Sequence, residues 1–505
     1  MVKSLLAAVA LFALPLSSAS AETLTIAIDT AVNTLDPHAT LTVGSDLSFL
    51  SHIFDTLTKR DAKGEIVPGV ATAWTLVNPT TWRLTLRTDV TFPSGATADA
   101  ELVKWNIERV LDAKNALRIR STFALINGVK VISPTEIEFT SSKPYPLLPL
   151  DLASLYLLDP SWVANHPTVS EPSGSGPYEL ASFRSGDTAA LRLRKNYWGK
   201  EKPIFDEVVF RTIPDEAARL AAIQAGEVSL ISSFSPKEIE RINATGKAKA
   251  VSVPSIRPTF VKFNVETGPL AKSQELRQAL NYAIDKQSIV DAFFAGHSDV
   301  LNGQVLSSLY NGYNPDLKPY PYDPQKAIGL IAKSGIPKDQ LTLEFTVPTD
   351  AYQSAVDISQ FIAAQLEEVG VTAKINRLDF AAYMTKYVKD HSMSPLMYLS
   401  QGNGTLEAAA IYRLYQTGNV YSYFSDPKLD ELNASAQSEF DEAKRSKIYL
   451  EASERFRELA PVLFLFTLAA DIEVLALPSG SRRPTMQSSM SCGRSYAGSS
   501  RTIRT

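Results

Sequence analysis

The stretch from Leu341 to Leu378, "LTLEFTVPTDAYQSAVDISQFIAAQLEEVGVTAKINRL", decides the fold class. Its first seven residues alternate apolar and polar side chains, which is typical of a half-buried strand. A helical pattern follows and stops at Gly370, and a second strand-like segment begins at Val371. A further helical segment, "FAAYMTKYVKD", and the apolar run "PLMYLS" continue the alternation to Ser400. Strand–helix–strand–helix–strand order predicts a parallel α/β unit.

A second unit of this kind is indicated between Leu191 and Ile231, so we expect two α/β lobes. Ligands of open α/β sheets bind beside the carboxyl ends of the strands. The loop "SQGNGTLEAAA" follows the run "PLMYL", and another polar loop follows the strand-like segment Thr23–Ile28. We therefore expect both loops to lie beside a cleft.

The N-terminus has the pattern of a secretory signal peptide. Lys3 precedes an apolar run from Leu5 to Leu16, and small residues follow up to Ala21. The run is shorter than the about 20 residues that a membrane-spanning helix needs. We expect cleavage after Ala21 and a periplasmic protein. The final segment, residues 477–505, is rich in arginine and serine and lacks acids, so we expect an atypical, disordered tail.

Composition narrows the possible functions. The chain has 505 residues, more than one hydrophobic core of about 250–300 residues supports, so we expect two or three domains. A formal charge of −4 argues against a nucleic-acid partner. Cys492 is the single cysteine, so no internal disulfide forms.

Catalytic motifs are missing from the sequence. The five histidines are scattered, and neither H-E-x-x-H nor G-x-S-x-G occurs. The glycine turn "GSGPYEL", Gly174–Leu180, lacks the Lys-Ser/Thr ending of a phosphate-binding loop. We therefore expect no enzyme, no cofactor and no metal, and a protein that binds a solute.

Several stretches together resemble one family. They include "LDPHAT", "PGVATAWTLVNPTTWRLTLRTDVTFPSG", "GSGPYELASF", "LRLRKNYWG", "IPDEAARLAAIQAGEV" and "VKFNVETGPLAKSQELRQALNYAIDKQSIV". The segments "YPYDPQKAIGLIAKSG" and "YSYFSDPKLDELNASAQSEFDEAKRSKIYLEASERFRELAPVLFLF" continue the order. The chain is similar to the periplasmic solute-binding proteins of ABC importers, family 5, whose members bind peptides, glutathione, opines or nickel. The similarity spans about Thr23 to Val474.

The resemblance implies a two-lobed clamp of the type II periplasmic-binding-protein class with an extra inserted domain. The expected divisions are a signal peptide (1–21), the core of lobe I (22–56, 172–260 and 466–476), an inserted domain of lobe I (57–171), lobe II (261–465) and the tail (477–505). The "GSGPY" turn would return the chain from the inserted domain to lobe I, with glycines that permit a tight backbone path.

Family ligand contacts transfer only in part. The resemblance implies that Asn33, in the "LDP" loop, lines the cleft, and that Lys262 and Asn264, near a lobe crossing, reach the ligand. The loop that in peptide-binding members carries an aspartate for the ligand ammonium supplies the other candidates, which are Tyr398, Ser400, Gln401, Asn403 and Glu407. This loop has no aspartate, which argues against a plain peptide, and Glu407 is its only acid.

The resemblance thus implies a monomeric periplasmic receptor that delivers a peptide-like or amino-acid-derived solute to an inner-membrane ABC permease. Two alternatives remain open from the sequence. One is an exported hydrolase or amidase with an unrecognised site, and the other is a ligand receptor that signals through a membrane sensor.

Overall fold

A computed structural model describes residues 22–40, 45–61, 64–165, 171–200, 203–232, 234–252, 255–468 and 472–476. The expected signal peptide and the expected tail lie outside these residues. The strands are β1 (Thr23–Ile28), β2 (Thr58–Arg60), β3 (Ile66–Pro68), β4 (Ala71–Asn78), β5 (Thr81–Leu86), β6 (Ile126–Ser133), β7 (Glu136–Ser141), β8 (Tyr178–Arg184), β9 (Thr188–Leu193), β10 (Glu207–Thr212), β11 (Leu230–Ile231), β12 (Ala248–Ser252), β13 (Pro258–Phe263), β14 (Thr342–Pro348), β15 (Thr372–Leu378), β16 (Leu396–Ser400), β17 (Val462–Thr467) and β18 (Ile472–Ala476).

The α-helices are α1 (Ser45–Leu50), α2 (Ala100–Leu111), α3 (Leu148–Asp151), α4 (Pro160–Asn165), α5 (Glu216–Gln224), α6 (Ile239–Ala244), α7 (Gly268–Lys272), α8 (Gln274–Tyr282), α9 (Lys286–Phe294), α10 (Pro324–Lys333), α11 (Ala355–Glu368), α12 (Phe380–Met384), α13 (Ala408–Tyr412), α14 (Pro427–Ser438) and α15 (Glu442–Leu459). Five of these helices begin at a side-chain N-cap. The side chains of Asp99, Asp215, Ser273, Asp285 and Asp323 each accept a hydrogen bond from a backbone N–H in the first turn of the following helix.

A seven-stranded sheet has the order β12-β18-β11-β1-β10-β9-β8. Its central strand, β1, is parallel to β10 and β11, whereas β18 is antiparallel to β11 and β12. Apolar side chains of β1 point alternately to the two faces of the sheet, so Ile26 and Ala27 belong to different hydrophobic clusters. The sheet is therefore covered on both faces.

A five-stranded sheet has the order β15-β14-β16-β13-β17 and contains the unit predicted from Leu341 to Ser400. That prediction is confirmed, since β14 is parallel to both β15 and β16. The middle strands are buried on both faces, in two clusters that include Phe260 and Val261 respectively.

A four-stranded antiparallel sheet, β4-β5-β7-β6, lies between β1 and β8 in the sequence. We call residues 57–171 the four-stranded unit. Helix α2 packs on this sheet through Val103, Ile107 and Val110, which form one cluster with Leu84 and Phe139. The unit thus has a hydrophobic core of its own.

The chain passes twice between the seven-stranded and the five-stranded sheets. It leaves β12 at Ser252 to enter β13 at Pro258, and it leaves β17 at Thr467 to enter β18 at Ile472. The crossings lie side by side, because Pro258 pairs with Thr467 and Leu468 N donates to Arg257 O at 2.9 Å. The two lobes are therefore joined by a narrow, hydrogen-bonded connection.

The first helix is shorter than its apolar pattern indicates. The sequence favours a helix from about Ser45 to Leu57, but α1 ends at Leu50. The carbonyl groups beyond α1 form hydrogen bonds with distant parts of the chain. Ile53 O accepts from Gly176 N at 2.8 Å, and Asp55 O accepts from Leu157 N at 2.9 Å. Long-range hydrogen bonds thus compete successfully with the local helical preference.

The glycine turn at residues 174–176 is a structural joint. An added Cβ at Gly174 would lie 2.1 Å from Ile53 O, and one at Gly176 would lie 2.6 Å from the Ile53 carbonyl carbon. This close approach confirms the expected tight backbone path. No side chain larger than hydrogen fits there unless the backbone shifts.

We predict that Gly174→Ala and Gly176→Ala each lower the free energy of unfolding by about 1–3 kcal/mol, because the added methyl group overpacks against backbone. Gly329→Ala is the matched control, since Gly329 lies inside α10 with no atom within 4 Å of an added Cβ. Alanine there should raise stability by about 0.5–1 kcal/mol. Urea denaturation of the three variants measures both effects, and equal changes at all three positions would contradict the assignment.

Candidate ligand-binding site

Asn33 lies in the loop that follows β1 and is exposed. Its side-chain Nδ2 donates to Ala31 O at 2.9 Å, and its backbone N donates to Asp46 Oδ1 at 2.7 Å. These two hydrogen bonds therefore hold the loop to itself and to α1.

The rest of this loop fixes the four-stranded unit to β1. Arg109 of α2 donates from Nη2 to Asp36 Oδ2 at 2.5 Å and from Nη1 to His38 Nδ1 at 2.7 Å. His38 Nε2 lies 2.7 Å from Tyr156 O. Burial, together with the Arg109 charge, lowers the pKa of His38 to about 4, so its ring is neutral and accepts at Nδ1. This contact could not be predicted from the sequence, because no local pattern links the "LDPH" loop to Arg109, which lies 71 positions after His38.

Lys262 is fully buried on β13, with 0% of its surface exposed. Its Nζ donates to Tyr421 O at 2.7 Å and to the Tyr387 hydroxyl at 3.1 Å. The same nitrogen lies 4.1 Å from the centre of the Tyr415 ring, which is a cation–π distance. Burial lowers the pKa of Lys262 to about 7. The structure thus places this predicted ligand contact inside a tyrosine cluster.

Asn264 directly follows β13, and both the nitrogen and the oxygen of its side-chain amide form hydrogen bonds within the protein. Nδ2 donates to Met393 O at 3.1 Å, and Oδ1 accepts from Glu266 N at 3.1 Å. Its backbone N also donates to Pro395 O at 3.0 Å. These bonds hold the segment before β16 against the end of β13.

The loop after β16 brings the remaining predicted residues together. Tyr398 is buried in the sheet, whereas Ser400, Gln401 and Glu407 carry buried polar atoms that have no hydrogen-bond partner within the described part of the chain. These atoms are Ser400 Oγ, Gln401 Oε1 and Glu407 Oε2. Asn403 shapes the loop, since its Oδ1 accepts from Thr405 N at 2.9 Å and from Thr405 Oγ1 at 2.7 Å.

Glu407 is 2% exposed, and burial raises the pKa of its carboxyl group. A hydrogen bond from Asn311 Nδ2 to Oε1, at 2.9 Å, and the charges of Arg445 and Arg60 act in the opposite direction. One carboxyl oxygen is therefore held and the other is available to a further donor.

The loop is held against the connection between the lobes. Asn403 N donates to the Tyr310 hydroxyl at 2.6 Å, and that hydroxyl donates to Ile256 O at 3.0 Å. Gly402 approaches the same carbonyl so closely that an added Cβ would lie 2.6 Å from it. Movement at the crossing between β12 and β13 is thus mechanically linked to this loop.

The four-stranded unit meets the loop on its other side. Arg60 Nη2 donates to Thr405 O, and the rings of Trp82 and Phe440 lie 6.2 Å apart. Leu147 packs against the cores of both the four-stranded unit and the five-stranded-sheet lobe. We call this contact the seam. The structure therefore brings Gln401, Asn403 and Glu407 together between β16 and α13, in a loop that contacts the four-stranded unit through Thr405, and Ser400 ends β16 directly before them. Lys262 lies on the neighbouring strand, β13.

Other candidate chemistry is limited. Within the described ranges, no group of three or more His, Cys, Asp or Glu side chains is arranged to hold a metal ion. Among the same residues, no helix has the length and apolar character needed to cross a bilayer. A groove of about 530 Å³ beside the end of α2 includes none of the eight predicted residues.

The profile of the bacterial extracellular solute-binding proteins, family 5 (middle region), matches residues 65–422. The chain belongs to this family. A curated relative in sequence is the glutathione-binding protein GsiB of Shigella flexneri serotype 5b, which is 25% identical over 465 residues and covers 88% of each chain.

Solved structures of similar proteins have the same fold. NikA from Brucella suis, in complex with Fe(III)-EDTA, matches with a TM-score of 0.80 at 21% identity, over 91% of this chain and 96% of NikA. The periplasmic binding protein DppA from Helicobacter pylori, in complex with the peptide STSA, matches with a TM-score of 0.76 at 20% identity, over 90% and 94%. These matches confirm the predicted two-lobed α/β fold of family 5.

We predict that Lys262 makes stability depend on pH. Its pKa is about 7 in the folded protein and is ordinarily near 10.5, so the unfolded chain binds more protons between these values. Stability should therefore rise as pH increases from 7 to 9.5, by at most about 1.4 kcal/mol per pH unit from this group. Lys262→Met should remove part of the rise, whereas Lys447→Met, at an exposed position, should keep it. Denaturation midpoints at several pH values test this, and parallel profiles for both variants would refute it.

Proposed function

We propose that this family 5 protein is the periplasmic substrate-binding component of an ABC transporter. It captures a peptide-like or amino-acid-derived solute, such as a peptide, glutathione or an opine, between its lobes for import. Support comes from the family match and from relatives whose names describe glutathione and peptide binding.

The observation that carries the proposal is the set of unpartnered buried atoms at the seam. Ser400 Oγ belongs to the last residue of β16, and Gln401 Oε1 and Glu407 Oε2 belong to the segment that follows it, whose Thr405 contacts the four-stranded unit. Leaving a buried acceptor without a donor costs about 1–3 kcal/mol, so such atoms ordinarily have a partner. The ammonium and amide N–H groups of an amino-acid-derived solute are donors of the required type.

Within this proposal, Glu407 takes the place of the missing aspartate. A glutamate is one methylene longer and starts from a different position on the loop, so the solute's cation would lie elsewhere than in the peptide-binding members. Asn33, Lys262, Asn264 and Tyr398 then support the site indirectly, because their recorded hydrogen bonds are made to protein groups.

The domain organisation fits a hinged clamp. We propose lobe I as the seven-stranded sheet with the inserted domain at residues 57–171, and lobe II as the five-stranded sheet with its helices. This division is supported by the two points at which the chain changes sheet, between Ser252 and Pro258 and between Thr467 and Ile472. Closure about these crossings would exclude water and strengthen the polar contacts to the solute.

The remaining proposals follow from the family role. The protein is a monomer that releases its solute unchanged to an inner-membrane permease, and it has neither cofactor nor catalytic group. It reaches the periplasm through the signal peptide, with cleavage after Ala21.

We predict that isothermal titration with dipeptides, tripeptides, glutathione, opines and nickel chelates identifies a solute with a free ammonium group. Glu407→Gln should weaken its binding about 10–100-fold, because a charge-assisted hydrogen bond contributes about 1.5–3 kcal/mol. Glu454→Gln, at an exposed helical position, is the matched control and should bind as the wild type does. A folded protein that binds nothing in the panel would count against the proposal, and unchanged affinity in Glu407→Gln would remove that residue from the site.

Mass spectrometry separates a receptor from a hydrolase or amidase. After prolonged incubation with the protein, the bound solute should be recovered with its mass unchanged and in its original amount. New products that depend on the folded protein would establish an enzyme instead.

A further inference from the structure

The crossing between β12 and β13 carries an arginine whose side chain takes no part in the contacts described above. Arg257 directly precedes β13 and is exposed. Its backbone is fixed, because Arg257 O accepts from Leu468 N at 2.9 Å and Arg257 N donates to Ser255 Oγ at 3.1 Å. A flexible, charged side chain therefore extends from the hydrogen-bonded connection between the two lobes.

The Arg257 side chain contacts the loops that follow β14 and β16. A Cβ added at Gly402 would lie 2.8 Å from Arg257 Cγ, so the side chain passes directly beside the loop after β16. Its guanidinium carbon lies over the Tyr352 ring, 5.9 Å from the ring centre. Tyr352 lies between β14 and α11, and its hydroxyl oxygen is 3.4 Å from Ser400 O.

These two loops leave one edge of the five-stranded sheet. Strands β14 and β16 are adjacent and parallel, so their carboxyl ends, at Pro348 and Ser400, point to the same edge. Ligands of open α/β sheets bind beside the carboxyl ends of parallel strands. Ser400 Oγ and Gln401 Oε1, two of the buried atoms without a partner among the described residues, belong to this edge. The Arg257 side chain therefore lies at the edge of the sheet that holds the candidate site.

The guanidinium group of Arg257 lacks an anionic partner within the described ranges. No acidic side chain there forms an ion pair with it, and the group lies over the face of the Tyr352 ring. An aromatic face attracts a guanidinium group and leaves the N–H groups at its edge free to donate. Those N–H groups form a fork that matches the two oxygens of a carboxylate. The arrangement is thus suited to an anion with two coplanar oxygens.

Aromatic rings form an apolar surface beside this cation. The Tyr352 ring lies 6.1 Å from the ring of Phe380 and 6.0 Å from that of Tyr398, measured between ring centres. Phe380 begins α12, directly after β15, and 37% of its surface is exposed. Because β15 is parallel to β14, Phe380 lies at the same edge of the sheet. A molecule bound there would meet a positive charge and an apolar surface side by side.

We propose that Arg257 binds a carboxylate group of the solute. This inference rests on the proposed function, because it takes the solute to lie at this edge of the sheet, and it narrows the class of solute. The solute carries two opposite charges, an ammonium group that Glu407 binds and a carboxylate group that Arg257 binds. An amino-acid derivative with a free carboxylate group meets this requirement, whereas a neutral solute does not.

Isothermal titration with matched pairs of compounds tests the role of Arg257. The acids are dialanine, trialanine, glutathione and octopine, and each partner compound has its carboxylate groups converted to carboxamides. Arg257→Gln keeps the methylene groups beside Gly402 and removes the charge. It should weaken the binding of the acids about 10–100-fold, through loss of a charge-assisted fork, and should bind the carboxamides no worse than the wild type does. Arg257→Lys keeps the charge without the fork and should recover part of the loss.

Two further variants separate this role from a disturbed hinge and from the role of Glu407. Arg192→Gln is the matched control, because Arg192 lies on β9 of the other large sheet with 67% of its side chain exposed, and it should bind the acids as the wild type does. Glu407→Gln should weaken acids and carboxamides alike, since both forms keep the ammonium group.

The outcomes distinguish failure of this inference from failure of the proposed function. If the acids bind the wild type and Arg257→Gln equally well, Arg257 does not contact the solute, and the proposed function stands. If Arg257→Gln loses acids and carboxamides to the same extent, the residue acts on the hinge and the inference is overturned. If no compound of the set binds the folded wild type, both proposals are contradicted.

Discussion

The double crossing between the seven-stranded and the five-stranded sheets is the constraint on which the rest of the structure depends. Two chain segments pass between the lobes in opposite directions and are hydrogen-bonded to each other, through Pro258 with Thr467 and Leu468 with Arg257. One connection would leave the lobes free to twist, whereas two adjacent ones favour a bending motion about a single line. The loop at Gly402 and Asn403 rests on this line, through Ile256 and Tyr310. Bending therefore moves the candidate site directly.

Burial of charge shapes both the site and its surroundings. Burial lowers the pKa of Lys262, although its hydrogen bonds and the neighbouring tyrosine rings favour the charged form, whereas burial raises the pKa of Glu407. Lys262 is satisfied by hydrogen bonds and π faces, whereas the Glu407 carboxyl group accepts a hydrogen bond at one oxygen, from Asn311. The second carboxyl oxygen of Glu407 has no hydrogen-bond partner among the described residues, which is the reason that the proposed function gives this residue a ligand contact.

Local features of this fold could be predicted from the sequence. The N-caps at Asp99 and Asp285 depend on residues within three positions, and the alternating pattern from Leu341 to Ser400 specifies its own strands and helices. Features that depend on distant partners could not be predicted. The burial of Lys262 requires tyrosines more than a hundred residues away, and the ion pair between Asp36 and Arg109 joins a loop to a helix of another sheet. The seam has the same character, since Arg60 and Thr405 are 345 residues apart. The position of one loop directly after β16 indicated the candidate site from the sequence. Only the packing shows which atoms in and beside that loop have no hydrogen-bond partner.

Strand β18 has a consequence for the order in which the protein folds. It lies between the edge strand β12 and β11, so the last described strand joins β12 to a sheet whose other six members all come from the first half of the chain. Until residue 476 has been synthesised, β11 and β12 lack the strand that pairs with both of them, and the seven-stranded sheet is incomplete. Completion of the seven-stranded sheet is therefore one of the last events in the synthesis of the chain, and the first half of the sequence cannot form this sheet by itself.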